Sequence, residues 1–276
     1  MTRNRSKNKR SRSRRPAPRH GLSAFTAAPS GSVAFFSEIA GSKITKFFTG
    51  LLLLPVCWIL LETFLVLLKA DTLVGEYWRS REFLAFGLAS LVWIILFFAW
   101  RTRAMMWLYV AGHELTHALF VLLCQGKVSK VHISSEGGHI LTNRNNFIIS
   151  LSPYFFPFYT AIAILGWTIA EWIIKDAGTL DPLWLYALIG FTWMFHLTFT
   201  IWMIGREQPD VDQNGKLFSF TTIFIANMLL ICTMLIVASP TATFKGFGLS
   251  LWANGQTFFV RLTESAREMY EALLSR

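Results

Sequence analysis

Residues 104–124 read AMMWLYVAGHELTHALFVLLC, an apolar run of 21 residues that contains two histidines and one glutamate. A helix needs about 20 mostly apolar residues to cross the hydrocarbon core of a bilayer, so this run predicts a membrane-spanning helix. Ionisable side chains near the middle of such a helix cost on the order of 2.5–3.5 kcal/mol each on insertion scales. Because an idle cluster would be so unfavourable, His113, Glu114 and His117 indicate a functional site.

The HELTH sequence at 113–117 has the pattern HExxH, whose meaning depends on helix geometry. Residues four positions apart lie on one face of a helix, with Cβ atoms roughly 5–6 Å apart, and two imidazoles so placed can bind one zinc ion. Glu114 lies off that face and can act as general base on a water at the metal. The motif therefore predicts zinc as the cofactor, His113 and His117 as ligands, and Glu114 as the catalytic residue.

A catalytic zinc ion has three protein ligands and one open position, so a third ligand must come from elsewhere in the chain. The candidates lie in or beside the other apolar runs: Asp210, Asp212, His196, Glu171 and Glu62. Asp210 and Asp212 both precede the last apolar run beside a glycine, and we favour Asp210. His196, in the middle of an apolar run, is a ligand, a hydrogen-bond donor to the oxyanion, or a core histidine.

The composition places the chain in the membrane class. Hydrophobic residues make up 53% of it and charged residues only 15%, whereas a soluble domain has roughly 25% charged residues. This excludes a disordered chain, a fibrous protein and an ordinary soluble enzyme. Besides 104–124, five apolar segments are long enough to span a bilayer: 47–68, 83–100, 147–174, 182–204 and 217–238. We predict an all-α, integral, multi-pass membrane protein with about six transmembrane helices.

Two of the intervening features interrupt this simple pattern. The segment 147–174 contains Pro153 and Pro157, so it is tilted, kinked or partly re-entrant. The join 125–146 carries two short runs of strand-like residues around a turn with two glycines. That pattern predicts a small β-hairpin directly after the HExxH helix.

The two ends of the chain differ from the apolar segments between them. Residues 1–20 hold nine of the 26 lysines and arginines and no acid, which leaves 17 basic against 16 acidic residues in the rest. We predict a disordered basic tail at 1–42, anchored on the cytoplasmic side, a transmembrane domain at 43–240 and an amphipathic C-terminal helix at 241–276. No nucleic-acid partner is expected, because no nucleic-acid motif accompanies the basic tail.

Over roughly residues 104–238, the chain resembles the site-2 protease family of intramembrane zinc metalloproteases. The HELTH sequence at 113–117 is similar to the HExGH of that family, with Thr116 in place of the glycine. The predicted hairpin at 127–142 resembles the short strands that follow the metal helix in the family and that offer an edge to an extended substrate.

Two further features carry the resemblance beyond the hairpin. The Leu-Ser-Pro string at 151–153 resembles the small-residue and proline turn of the next helix in the family. Asp210 or Asp212, together with Gly215, loosely resembles the later Asp-Gly motif that supplies the third metal ligand. By this resemblance, residues 43–240 form a metalloprotease-like domain.

The resemblance implies a membrane-embedded zinc metalloendopeptidase that hydrolyses peptide bonds of membrane-associated substrates. Its expected partners are a membrane protein or peptide substrate and the lipid bilayer, and no oligomeric state is predicted. Two other functions stay open: a non-catalytic pseudoprotease that binds or gates a membrane partner, and a metal carrier that uses the same histidine pair. The expected location is a bacterial inner membrane, although an organelle membrane fits the same pattern.

Overall fold

A computed structural model describes residues 42–69, 76–174, 180–206, 208–239 and 242–275. Over these ranges, five helices are long and apolar enough to cross a membrane, and a sixth apolar segment is sharply bent. The predicted fold class, an all-α membrane protein of about six spans with a small β-hairpin, is confirmed. The predicted basic tail lies outside the described residues, apart from its last position.

The secondary structure elements follow one another with short connections. The helices of the described part are α1 (Lys43–Lys69), α2 (Glu76–Arg79), α3 (Arg81–Ala99), α4 (Arg103–Leu123), α5 (Phe147–Leu151), α6 (Phe158–Ile174), α7 (Pro182–Ile204), α8 (Pro209–Asn214), α9 (Lys216–Ala238) and α10 (Phe244–Leu274). The strands are β1 (Val128–Ser134) and β2 (Gly137–Thr142), and a 3₁₀ turn (Ser152–Tyr154) follows α5. The five candidate spans are α1, α3, α4, α7 and α9.

Helix α4, which carries the HELTH sequence, has a defined start and a defined end. The side chain of Thr102 accepts a hydrogen bond from the backbone N–H of Met105 and so caps the first turn. At the other end, Gln125 adopts a left-handed φ of 59°, and the N–H of Gly126 donates to the carbonyl oxygen of Val121 at 2.7 Å. Because these bonds satisfy groups that a helix end leaves free, the chain turns back here into the hairpin.

The predicted hairpin forms as an antiparallel pair that lies along α4. His132 is opposite His139 in the register, and one irregularity interrupts the pairing between Val128 and Lys130. Ile140 of β2 is buried against Val121 of α4. The hairpin therefore folds back beside the helix from which it emerges.

Helices α3 and α7 run in the same direction. Ser90 of α3 donates a hydrogen bond to the carbonyl oxygen of Gly190 in α7 at 3.0 Å, and Trp93 Nε1 donates to Thr198 Oγ1 at 2.9 Å. Residue numbers thus rise together along the two helices. Together with α4 they enclose an aromatic cluster: Trp93, Phe97, Tyr109, Val110, Phe195, Phe199 and Met203.

This parallel packing determines whether the bent segment between α4 and α7 crosses the membrane or returns to the side from which it entered. Only residues 100–102 join α3 to α4, so α4 returns across the membrane in the direction opposite to α3. Helix α7 can follow the direction of α3 only if the intervening chain begins and ends on the same side. The pair Phe147–Tyr154 and Phe158–Ile174, bent by 78°, is therefore re-entrant. Pro153 and Pro157 lie at the bend, where proline removes a helical N–H donor.

Helix α10 occupies most of the C-terminal region for which an amphipathic helix is predicted. It is 31 residues long, and none of its residues is buried. Two polar contacts tie its middle to α1: Asn254 Nδ2 donates to Thr63 Oγ1 at 3.0 Å, and Arg261 lies 3.4 Å from Glu62. The second half presents an exposed apolar face.

The close packing of α3 on α7 depends on Gly190, which leads to a first prediction. A Cβ atom at this position would meet the backbone carbonyl of Phe86 well inside van der Waals contact. Because two helix backbones must separate to relieve the overlap, we expect Gly190→Ala to destabilise the protein by about 2–3 kcal/mol. In detergent this lowers the apparent Tm by roughly 5–10 °C.

The matched control is Gly87→Ala in α3, where a Cβ atom would meet no atom within 4 Å. Alanine is the better helix former by roughly 0.5–1 kcal/mol, so the Tm of this variant is expected to stay level or rise slightly. An unchanged Tm for Gly190→Ala would contradict the close approach of the two helices.

Candidate metal centre

Helix α4 places His113 and His117 on one face, as their spacing predicts. The two rings have centroids 4.8 Å apart and lie almost perpendicular to each other. His113 is 3% exposed and His117 is fully buried. Two imidazoles held this close in the interior are arranged to share a single bound ion.

Asp210 completes this pair from a different part of the chain. It lies in the short helix α8, between the spans α7 and α9, and is fully buried. Its Oδ2 atom lies 3.5 Å from Nε2 of His113 and 3.5 Å from Nε2 of His117. The three residues form a buried group, with ligand atoms within 4.8 Å of one another, that could hold a metal ion.

The distances within this group fit the size of a tetrahedral ion. Ligand atoms that each lie 2.0–2.2 Å from a tetrahedral metal are about 3.3–3.6 Å from one another. The two distances from Asp210 Oδ2 to the imidazoles, both 3.5 Å, fall in that range. The contacts of the aspartate with the two imidazoles thus match the separation of ligand atoms around such an ion, and all three donor atoms lie within 4.8 Å of one another.

The Nδ1 atoms of both histidines, which point away from Asp210, also have partners. His117 Nδ1 lies 2.8 Å from the carbonyl oxygen of Ile149 in α5, and since a carbonyl can only accept, Nδ1 carries the proton. His113 Nδ1 lies 3.3 Å from the hydroxyl of Tyr109, one turn earlier on α4. The carbonyl contact thus fixes the tautomer of His117 that presents the lone pair of Nε2 to a metal, whereas the hydroxyl of Tyr109 orients the ring of His113 and can either donate or accept.

The surroundings of Asp210 favour its ionised form although the residue is buried. Burial raises the pKa of this carboxyl, but a protonated His117 and contacts with Nε2–H of both imidazoles outweigh burial and hold the pKa below its usual value. Tyr154 donates a further hydrogen bond to Oδ2 at 3.4 Å. These surroundings thus favour an anionic carboxylate at Asp210, which suits a candidate metal ligand.

A chain of hydrogen bonds holds the backbone around Asp210 in place. Asn214 Nδ2 donates to the carbonyl oxygen of Asp210 at 3.0 Å and to Ser150 Oγ at 2.6 Å. Lys46 of α1 donates to Asn214 Oδ1 at 2.7 Å. Three separate elements, α1, α5 and α8, are thus tied together behind the third candidate ligand.

Glu114 lies beside this group and is fully buried. Neither of its carboxylate oxygens has a hydrogen-bond partner within the described ranges of the chain. The strand β2 covers it, because a Cβ atom at Gly138 would lie 2.6 Å from Glu114 Cγ and 2.9 Å from Oε1. A buried carboxylate is unfavourable without a partner, so the oxygens of Glu114 are placed to accept one from a group that binds beside them.

The other sequence candidates for the third ligand lie away from the group. Asp212 has a side chain 47% exposed and lies 3.9 Å from Lys216. Glu62 faces Arg261 on α10, and Glu171 is exposed on α6. The structure thus brings Asp210 alone among the acidic candidates to the two histidines in the part of the chain that it describes.

His196 lies close by, on the wall of a cavity between α4, the bend and α7. The cavity has space of about 20 Å³, which is room for about one water molecule. Most of its wall is aromatic or apolar, and its lining residues are Tyr109, Gly112, His113, Thr116, Pro153, Phe156, Phe158, Tyr159, Phe195 and His196.

Several residues of the site were missed at the level of sequence. Tyr109 could have been found, because it lies four residues before His113 and therefore on the same face of α4. Tyr154 and Asn214 gave no local signal, since their roles arise from the folding of distant segments onto α4. Gly138 is one of two adjacent glycines in the hairpin turn, and the sequence does not distinguish them.

No family model, curated protein or solved structure matches the chain. The fold and the site nevertheless define a class: a multi-pass membrane protein with a buried pair of histidines and an aspartate that could hold a metal ion. Two imidazoles and one carboxylate suit several divalent transition metals.

Proposed function

We propose that this protein is a membrane-embedded zinc metalloendopeptidase, similar to the site-2 protease family. The observation that carries the proposal is the buried group of His113, His117 and Asp210, with the carboxylate of Glu114 beside it and without a hydrogen-bond partner in the described chain. Zinc is the proposed metal because two imidazoles and one carboxylate are a ligand set of catalytic zinc sites, and because both distances from Asp210 to the imidazoles, 3.5 Å each, fit a tetrahedral ion.

The proposed mechanism uses Glu114 as the proton carrier. When bound, zinc lowers the pKa of a coordinated water toward about 7 and polarises a carbonyl group. Glu114 takes a proton from the attacking water and then passes it to the nitrogen of the leaving amine. His113, His117 and Asp210 would hold the metal, and the hydrogen bonds of Tyr154 and Asn214 orient Asp210 toward the two imidazoles.

We propose that the substrate binds along the hairpin, next to Glu114. The described sheet has only two strands, so each strand has one edge without a strand partner there. An extended peptide could add to such an edge by backbone hydrogen bonds, and a substrate helix must unwind before its carbonyl groups can be attacked. We therefore propose that the substrate is a membrane protein or membrane-associated peptide, and that the host membrane is a bacterial inner membrane.

Metal removal tests this proposal directly. The purified protein, reconstituted with a panel of single-span reporter proteins, is expected to contain about one zinc ion per chain and to cleave at least one reporter. A strong zinc chelator is expected to lower cleavage at least about 100-fold, because the ion supplies the polarised water. Added zinc should restore cleavage, whereas added magnesium, which prefers six oxygen ligands, should not.

The control is a non-chelating isomer of the same chelator, which should leave cleavage unchanged. Cleavage that persists after complete removal of metal would contradict the proposal. Zinc binding without cleavage of any reporter would favour the pseudoprotease, and transport of zinc into the vesicles would favour the carrier.

A further inference from the structure

His196 stands out among the buried polar side chains outside the metal group. It lies on α7, is 9% exposed, and its Nε2 atom has no hydrogen-bond partner among the described residues. Nearly all buried polar groups in folded proteins are hydrogen-bonded. A buried imidazole nitrogen on the wall of a cavity therefore indicates that a ligand supplies the missing partner.

The other polar side chains on the cavity wall are already engaged. Thr116 and Tyr159 each donate to a backbone carbonyl at 2.6 Å. Tyr109 contacts the outer nitrogen of His113 at 3.3 Å. In the described part of the chain, His196 is thus the side chain on this wall that keeps a polar atom available for a ligand.

His196 is not a fourth member of the metal group. The donor atoms of that group lie within 4.8 Å of one another and come from His113, His117 and Asp210. His196 shares only the cavity with His113. A ligand in this cavity would therefore contact His113 of the metal group on one side and His196 on another.

We propose that His196 is a further catalytic residue, whose Nε2–H donates a hydrogen bond to the carbonyl oxygen of the peptide bond under attack. The inference rests on the proposed function, since it concerns the same hydrolysis. The cavity wall is largely apolar, and a hydrogen bond to developing negative charge is stronger in such surroundings than in water. His196 thus stabilises the transition state more than the bound substrate.

Hydrolysis of the peptide bond proceeds without a change in the protonation of His196. The oxygen of water forms a bond to the carbonyl carbon, and the electron pair of the C=O bond moves to the carbonyl oxygen, where Nε2–H donates to it. Glu114 receives the proton of the water. When the C–N bond breaks, the C=O bond reforms, and the proton passes from Glu114 to the leaving nitrogen.

The test compares His196→Phe, which keeps a ring without a donor, with His196→Gln, which keeps an N–H donor. In the zinc-loaded, reconstituted protein, we expect His196→Phe to lower kcat about 10²–10³-fold with KM and zinc content unchanged. We expect His196→Gln to recover part of that loss. A purely structural role would not be rescued by an amide.

A binding measurement separates this role from a general effect on the site. A phosphonamidate peptide mimics the charged tetrahedral state, whereas the matching uncleaved peptide, bound to Glu114→Gln protein, mimics the ground state. His196→Phe is expected to weaken binding of the phosphonamidate by about the factor lost in kcat. Binding of the uncleaved peptide should be unchanged when His196→Phe is added to Glu114→Gln.

The matched control is Thr200→Val, one turn further along α7. Thr200 is buried, its hydroxyl has no hydrogen-bond partner in the described residues, and it does not line the cavity. Its replacement should leave kcat unchanged. Wild-type kcat in His196→Phe, or zinc loss in that variant, would overturn the inference and leave the proposed function standing. Absence of any cleavage by the unaltered protein would instead overturn both.

Discussion

Glu114→Gln is expected to lower peptide cleavage by at least about 10³-fold while the protein keeps its metal. Glutamine has nearly the same shape as glutamate but cannot accept the proton of the attacking water, and loss of a general base costs about 10²–10⁴ in rate. Glu114 is not one of the three grouped ligands, so zinc content should be unchanged. Cleavage of a reconstituted reporter and elemental analysis of the same preparation measure the two quantities.

Glu171→Gln is the matched control, because it makes the same chemical change at an exposed position on α6. Its cleavage rate and zinc content are expected to equal those of the unaltered protein. If Glu114→Gln cleaved at the normal rate, the assignment of the general base would be wrong. If it lost zinc instead, Glu114 would have to be counted among the ligands.

Asp210→Ala should remove the metal almost completely, whereas Asp212→Ala should not. The carboxylate of Asp210 lies 3.5 Å from both imidazoles, so its loss removes one of three donors. Changes in groups that only orient a ligand typically cost 10–100-fold in metal affinity, and loss of the ligand itself should cost at least about 100-fold. Competition with a zinc-binding dye measures the affinity of each variant.

Asp212 is the natural control because it lies on the same short helix, two residues away. Its side chain is 47% exposed and pairs only loosely with Lys216 at 3.9 Å, and exposed pairs of this kind contribute little to stability. Equal zinc affinity in the two variants would show that α8 does not supply the third ligand. His196, which shares the cavity with His113, would then be the next residue to test.

Much of the fold could be predicted from hydrophobic runs because bilayer thickness fixes helix length. The run at 104–124 becomes the helix Arg103–Leu123, and four of the five other predicted segments fall within a few residues of observed helices, while 147–174 becomes the bent pair. The hairpin was also predictable, since its two glycines and alternating residues are local signals. These features need no knowledge of distant contacts.

The direction of α7 could not be predicted in the same way. It depends on contacts such as Ser90 with Gly190, which join residues 100 positions apart. Pro153 and Pro157 predicted a break in the helix at 147–174. A proline, however, marks the position of a bend and not the direction of the chain beyond it. The re-entrant path follows only when the parallel packing of α3 and α7 is known.

The candidate site was predictable to the extent that its residues share one helix. His113, Glu114 and His117 are linked by the 3.6-residue period of α4, so one motif predicted their arrangement. The choice between Asp210 and Asp212 had no such basis, because both have the same chemistry and the same neighbours. Burial of one and exposure of the other depend on how α8 packs against α4 and α5.

The re-entrant path of the chain between α4 and α7 has a consequence for sidedness. The connection before Phe147 and the start of α7 at Pro182 therefore lie on the same side of the helical domain. The β-hairpin belongs to that connection. Under the proposed function, water and extended peptide would approach Glu114 from this side, and a soluble regulator confined to the opposite side would have no direct access to the hairpin.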